Sequence, residues 1–388
     1  MFVNAENKKY VEVLIILLGL LIFSFQKSNG QISQKFSLPL WLSDNMIFPS
    51  DINWTLRGSC SSFQEVSVSF DKIKISTKAD KDGIWEMSYS PVKPGISGDM
   101  VFVCNGEKKV IKEVLSGNIW LCAGQSNMAM HVKSSKESVE AGDDVSSLDI
   151  RYFNGKQWQK VTNENVQNIS AVALFFAAEM ERRQKKPIGI FVAASGGTGI
   201  EAWVPEDAFP KNETGIRFRT LVNDSLVLKA AKEDKEDMKP YGQHRLAKWG
   251  LGRAVPATLF NKFIRQFGQL PVTGVVWYQG ESNTEHVNQA VEYRFWLENL
   301  ISSYRKHFNK PELPFAIIQL PIYEPRVPES LKAWKILQNV QATVTQNTPW
   351  TVKVDIQDLG DLYNIHPEQK KEVGVRTAEA ICKLIYSN

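Results

Sequence analysis

Apolar and polar positions follow two different patterns along the chain. Up to residue 115 they come in short runs, several of them alternating: Ile52 to Leu56, Val66 to Phe70, Ile73 to Thr77, Ile84 to Tyr89, Met100 to Cys104 and Lys109 to Val114. Turn formers separate these runs, among them Pro49-Ser50-Asp51, Ala79 through Gly83, and Asn105-Gly106. Period-two alternation puts successive side chains on opposite faces of a strand. No helical period appears, so residues 31–115 are expected to form a small all-β sandwich. From Ser116 onward, apolar runs of strand length alternate with longer helical stretches. The strands are expected at Ile119 to Ala123, Asp149 to Phe153, Ile188 to Ala194, Val272 to Tyr278, Phe315 to Leu320 and Thr351 to Asp355. Helices are expected over Ser170 to Lys186, Pro256 to Phe267, Val287 to Phe308, Leu331 to Gln346 and Pro367 to Ile385. This alternation predicts a parallel sheet with helices on both faces over residues 116–388, with 213–250 as a charged, partly helical insertion beside the site.

Ligands of such sheets bind at the carboxyl ends of the strands. The residues that follow each strand therefore assemble the expected site. They are Gly124-Gln125-Ser126, then Ser195-Gly196-Gly197-Thr198 with Glu201 and Trp203, then Gln279-Gly280-Glu281-Ser282-Asn283, then Gln319, and last Asp358, Asp361 and His366-Pro367. Strand, glycine, then a serine at a helix start is how a sheet presents a nucleophile. The alternative is a Gly-Ser turn that only caps a helix.

Composition narrows the picture. The 388 residues are 43% hydrophobic and 23% charged, as in a folded chain. A net charge of +4 without a basic block argues against nucleic acid as a partner. Residues 1–30 read as a secretory signal: Lys8 and Lys9, an apolar core from Val11 to Phe25, and small residues Ser28 and Gly30 before Gln31. Export with cleavage is expected, leaving no membrane attachment. Export permits disulfides among Cys60, Cys104, Cys122 and Cys382; pairing of Cys60 with Cys104 and four buried thiols are both open. No His/Cys/Asp cluster has metal-ligand spacing, and neither metal nor cofactor is expected.

A serine hydroxyl needs a base. Of five histidines only His366 follows a core strand and immediately precedes an expected helix, with Pro367 suited to its first position. The positive helix end would help keep His366 neutral. Glu281, Asp361 and Asp358 are candidates to orient it, with Gln319 able to hold a carboxylate in place. Donors for an oxyanion are the N–H of Ser126, an N–H of the Gly196-Gly197 turn, and the amide of Asn283.

Gly124-Gln125-Ser126-Asn127-Met128, Ser195-Gly196-Gly197-Thr198, Trp277-Tyr278-Gln279-Gly280-Glu281-Ser282-Asn283 and Ile365-His366-Pro367 resemble, in order and setting, the motifs of SGNH hydrolases. The chain is more closely similar to the sialate O-acetylesterase group of carbohydrate esterases, which also contains acetylxylan esterases. Leu38-Pro39, Ser43-Asp44-Asn45-Met46 and Gly83-Ile84-Trp85 extend the resemblance to that group's β-rich N-terminal part. The resemblance implies a flavodoxin-like sheet, Ser126 as nucleophile, His366 as general base, and an oxyanion hole of Ser126, Gly197 and Asn283. Gln125, Gln279, Gln319 and Trp203 are expected around the substrate or behind the catalytic groups. Many SGNH enzymes carry aspartate three residues before the histidine, and the closer group commonly has one two before. Here those positions are Tyr363 and Asn364. Glu281 is therefore the expected acid, with Asp361 as the alternative. The implied activity is an exported serine esterase acting on O-acetylated carbohydrate, foremost sialic acids. The alternatives are an acetylxylan or other polysaccharide deacetylase, and a carbohydrate-binding protein on an inactive esterase scaffold. Oligomeric state is left open.

Overall fold

A computed structural model describes residues 34–223, 255–268 and 270–386. The expected leader and the 224–250 part of the charged insertion lie outside the described residues. Seven strands come first: β1 (Ile47–Pro49), β2 (Trp54–Ser59), β3 (Glu65–Phe70), β4 (Ile73–Lys78), β5 (Ile84–Tyr89), β6 (Ser97–Cys104) and β7 (Glu107–Gly124). β2 and β5 form a separate antiparallel pair, while β4, β3, β6 and the first half of β7 form one ladder. The alternating burial of β5 shows why the pattern was readable: Trp85, Met87 and Tyr89 point inward, and Ile84, Glu86 and Ser88 outward. Tyr89 stacks on Trp54 with ring centroids 4.8 Å apart, and Trp85 packs at 6.3 Å from Phe102 of β6. Such aromatic pairs add roughly 0.5–1.5 kcal/mol each beyond area burial.

β7 runs through the expected boundary at 115/116 without interruption. At residues 115–117 it pairs with β1, from Asn118 to Gly124 with β10 (Ile188–Ala194), and from Trp120 to Gly124 also with β11 (Gly274–Tyr278). With β8 (Ile150–Phe153), β9 (Trp158–Lys160), β12 (Phe315–Ile318) and β13 (Thr351–Val354), the central sheet has the order β13-β12-β11-β7-β10-β8-β9. All of its pairings are parallel except β8–β9. Within it, β10-β7-β11-β12-β13 is the flavodoxin-like order, whose direction reverses beside the first strand. Ligand crevices form at that switch point. Here it lies beside the carboxyl end of β7, where Gly124 is level with both Ala194 and Tyr278.

The helices are α1 (Ser126–Ala129), α2 (Ala141–Val145), α3 (Ala171–Gln184), α4 (Glu213–Asn223), α5 (Val287–His307), α6 (Pro328–Asn347) and α7 (Lys371–Tyr386). Strand periodicity assigns them to faces. Trp120 meets Phe176 of α3, whereas Trp277, level with Ala123, bonds Tyr293 of α5. Three positions apart along a strand means opposite faces. α3 packs on α7, and α5 on α6, so the two helix pairs cover the two faces. Among the described residues, no helix is long and apolar enough to cross a membrane. All four cysteines are free thiols; Cys60 and Cys104 lie side by side, and burial together with that neighbour pushes the Cys60 thiol up to about 12.

Two expected elements differ. The stretch from Pro256 to Phe267 is helical from Thr258 onward but not as one regular α-helix: two α-helical residues lead into a π-helical turn at Phe260–Ile264 and a 3-10 turn at Arg265–Phe267. The last helix begins at Lys371, not Pro367. The Glu368 carbonyl, which a helix would need, accepts instead from the Lys136 N–H at 3.0 Å. The first bond of the helical ladder runs from Gly374 N–H to the Lys370 carbonyl.

Candidate active site

Gly124 ends β7 with φ +148°, and a Cβ there would stand 2.0 Å from the Tyr278 carbonyl oxygen. Only glycine allows this crossing of β7 and β11. The turn it makes delivers Ser126 to the first position of α1. There its N–H has no acceptor within the helix. His366 comes from the β13–α7 loop, and its Nε2 lies 2.8 Å from Ser126 Oγ. Both side chains are half-buried, leaving the pair open to solvent on one side. His366 is not at a helix start, so the argument for an imidazole held neutral by the helix end falls away. What fixes its backbone is local: Asn364 Oδ1 accepts from the His366 N–H at 2.9 Å.

The expected hydrogen bond between Glu281 and His366 is absent. Glu281 Oε1 accepts from Asn127 Nδ2 at 2.6 Å, and Oε2 has no hydrogen-bond partner. The alternative, Asp361, is turned into its own loop, where Oδ1 accepts from Tyr363 and Asn364 N–H at 2.8 and 3.0 Å. Asp358 pairs with Arg376 at 2.6 and 2.7 Å. The physical reason is a competition unseen in the sequence. Asn127 is buried, its two Nδ2 hydrogens must be satisfied, and the buried Glu281 and the Ile365 carbonyl (3.0 Å) take them. Lys370, fully buried, donates to Asn127 Oδ1 at 2.7 Å. Burial pushes the Glu281 carboxyl above the usual range, while the Asn127 bond and the Lys370 charge pull it back. Burial also brings the Lys370 ammonium down to about 8, against the pull of Glu281 and Glu137.

Other expected residues divide. Gln125 and Gln279 form a buried polar layer joining the strand ends. Gln279 Nε2 reaches Gln125 Oε1 (3.1 Å), the Thr198 carbonyl (3.0 Å) and Asn283 Oδ1 (2.8 Å), while Gln125 Oε1 also accepts from Ser282 N–H. Asn283 accepts from Ile200 N–H as well, and gives one Nδ2 hydrogen to Glu201 Oε1 at 3.0 Å; the second is what it has left for an oxyanion. Burial raises the Glu201 carboxyl. Gly196 lies against Ser126: a Cβ on it would be 3.5 Å from the serine Cβ. Gly197 turns at φ +68°. One expectation fails and another is narrowed. Gln319 donates to the Gln338 carbonyl of α6 at 2.8 Å and holds no carboxylate. Trp203 is fully buried, stacked on Phe263 and edge-on to Trp277, with its Nε1 on Thr198 Oγ1; no face is left for a sugar. Among the described residues, no group of three His, Cys, Asp or Glu side chains could hold a metal ion.

Asn127 and Lys370 are buried polar residues of the site to which the sequence reading gave no role. Lys370 left a signal: it is spaced four, seven and eleven residues ahead of Gly374, Thr377 and Ile381, all on the buried stripe of α7. A lysine on an apolar stripe marks a buried charge with a partner.

Comparisons with known proteins bear on the family of the chain. Residues 116–231 and 241–383 match the model of a family described as carbohydrate esterase, sialic acid-specific acetylesterase. A sialate O-acetylesterase of Rattus norvegicus is 25% identical over 350 residues, covering 78% of this chain and 64% of that protein. Its Homo sapiens counterpart is 28% identical over 278 residues, covering 63% and 48%. The chain thus spans about half to two thirds of the length of these curated relatives. The crystal structure of a carbohydrate acetylesterase from Xanthomonas citri superposes with TM-score 0.75 at 26% identity, covering 91% of this chain and 76% of that one. With more than half of its residues matched by the family model, the chain belongs to the carbohydrate esterases described as sialic acid-specific acetylesterases.

Proposed function

We propose that the protein is a serine esterase that removes O-acetyl groups from carbohydrate, foremost O-acetylated sialic acids, through an acyl-enzyme. The observation that carries the reading is the 2.8 Å contact between Ser126 Oγ and His366 Nε2 at the switch point of the sheet. Ser126 Oγ attacks the acetyl carbonyl while His366 Nε2 takes its proton. The oxyanion that develops is stabilised by the Ser126 N–H, the Gly197 N–H and the remaining Asn283 N–H, each donor worth ~3 kcal/mol in the transition state. His366 then protonates the departing sugar oxygen. In the second half it takes a proton from water, whose oxygen attacks the acyl carbonyl; as the Ser126 Oγ–carbon bond breaks, His366 returns that proton to Oγ, freeing acetic acid and restoring the pair. The Ser–His contact favours this over an inactive binding scaffold, which has no use for an activated hydroxyl.

Acetate release from O-acetylated sialic acids and from acetylated xylan, measured side by side, tests the reading. Faster release from the sialic acids is expected. Release from xylan alone would replace the substrate with a polysaccharide; release from neither by folded protein would sink the esterase. We also propose export, on the Lys8-Lys9, Val11–Phe25 and Ser28/Gly30 pattern. The mass of the protein recovered outside the expressing cell should place its N-terminus at Gln31 or a close neighbour, and an intact Met1 there would mean an uncleaved anchor.

A further inference from the structure

The amide of Asn127 has one orientation that suits its neighbours. Its Nδ2 faces two acceptors, the Glu281 carboxylate and the Ile365 carbonyl, and its Oδ1 faces the Lys370 ammonium. A flip would set oxygen against carboxylate and carbonyl, and N–H against ammonium, losing all three bonds at once. Ile365 directly precedes His366, whose own N–H is held by Asn364. The peptide that leads into the base is thus held at both of its polar groups: by Asn364 at the His366 N–H, and by Asn127 at the Ile365 carbonyl. Lys370 is itself fixed: its Nζ lies 5.6 Å from the centre of the Tyr278 ring at the end of β11, and its N–H donates to Glu137 Oε2 at 3.3 Å. Stability alone does not account for a fully buried lysine here. Replacing a buried ion pair as a whole by apolar residues of similar volume is often neutral or stabilising, whereas removing one partner alone leaves the other buried without its counter-charge.

We propose that Lys370 is a positioning residue: with Glu281 it locks the Asn127 amide, which holds the Ile365 carbonyl and so keeps His366 Nε2 on Ser126 Oγ. This inference rests on the Ser126–His366 esterase reading. In it Glu281 acts on the base at one remove, through Asn127, and not as a carboxylate on the imidazole.

The test compares Lys370→Met and Lys370→Gln, which differ in little but the donor. With an acetyl ester substrate, Lys370→Met should lower kcat about 10²-fold, as a small misplacement of a catalytic group does, and leave KM within about a factor of three. Its melting temperature should equal or exceed that of Lys370→Gln. Lys370→Gln, whose amide can donate to Asn127 Oδ1, should recover most of kcat. A role in packing alone predicts the opposite: activity following melting temperature, with Met the better substitute. That result, or wild-type kcat in Lys370→Met, would overturn the proposal. If Lys370→Met does not fold, Glu281→Gln decides: it puts an amide N–H or an uncharged oxygen against Asn127 and should lower kcat with KM held, and undiminished kcat would overturn the lock. Failure of the esterase reading shows separately, as turnover that survives Ser126→Ala.

Discussion

Ser126→Ala should abolish ester hydrolysis, by roughly 10⁴–10⁶-fold in kcat, with the fold intact. The serine hydroxyl lies 2.8 Å from His366 Nε2, and alanine takes that hydroxyl away from the imidazole. The backbone turn survives because Ser126 is an ordinary first residue of α1, with Gln125 as its N-cap and no side-chain cap bond to lose. Ser195→Ala is the matched control. Ser195 also follows a core strand beside glycines, but among the described residues its hydrogen bonds are backbone ones: its N–H to the Gly124 carbonyl at 3.1 Å, and its carbonyl from Thr198 Oγ1 at 2.8 Å. Alanine keeps both, so turnover should remain near wild type. Acetate release by the two variants, with melting temperatures alongside, decides the matter. Full activity in Ser126→Ala, or its loss only in Ser195→Ala, removes the mechanism.

Gly124→Ala should cost the fold as well as the activity. Its φ of +148° is one that a side chain opposes, and the added Cβ would meet the Tyr278 carbonyl oxygen at 2.0 Å. That oxygen is backbone and cannot swing away. It also accepts from the Gln125 N–H at 3.1 Å, so any retreat breaks the bond that closes β7 on β11 just before Ser126. Strain of this kind joined to a displaced strand costs roughly 3 kcal/mol or more. A lower denaturant midpoint together with lost acetate release is the expected result. An alanine variant with wild-type midpoint and turnover would show that the two strands separate more freely than their register implies.

The fold was legible where one strand or helix carries its own pattern. Ile188–Ala194 and Ile84–Tyr89 appear at the bounds their apolar runs predict, because burial on both faces, or on one, is written directly into composition and alternation. The start of the last helix was not legible. Pro367 is a good local start signal, but a tertiary bond from Lys136 takes the Glu368 carbonyl and delays the helix to Lys371. The site divides in the same way. Ser126 and His366 could be paired because each lies in the segment that follows a core strand, at the carboxyl edge of the sheet. The partner of Glu281 could not, because choosing between His366 and Asn127 is a matter of which buried donors lack an acceptor, and that is known only once the loops are packed. Trp203 shows the same limit from the apolar side: an aromatic after a strand end serves equally as a platform or as core, and Phe263 and Trp277 decide for the core.

The unbroken course of β7 also governs what can move. Rotating the N-terminal strands about residues 115–117 would tear three registers at once, since β1 and β6 pair there and β10 takes over at Asn118. Arg151 of β8 adds a clasp, donating to the Met46 and Glu113 carbonyls, and Trp158 of β9 another, through Nε1 to the Trp41 carbonyl at 2.9 Å. There is no hinge at this point, so the early strands do not open and shut over Ser126 as a separate body. They brace, from the far end, the strand that ends at Ser126, and access to Ser126 must be governed by the loops at the carboxyl edge of the sheet.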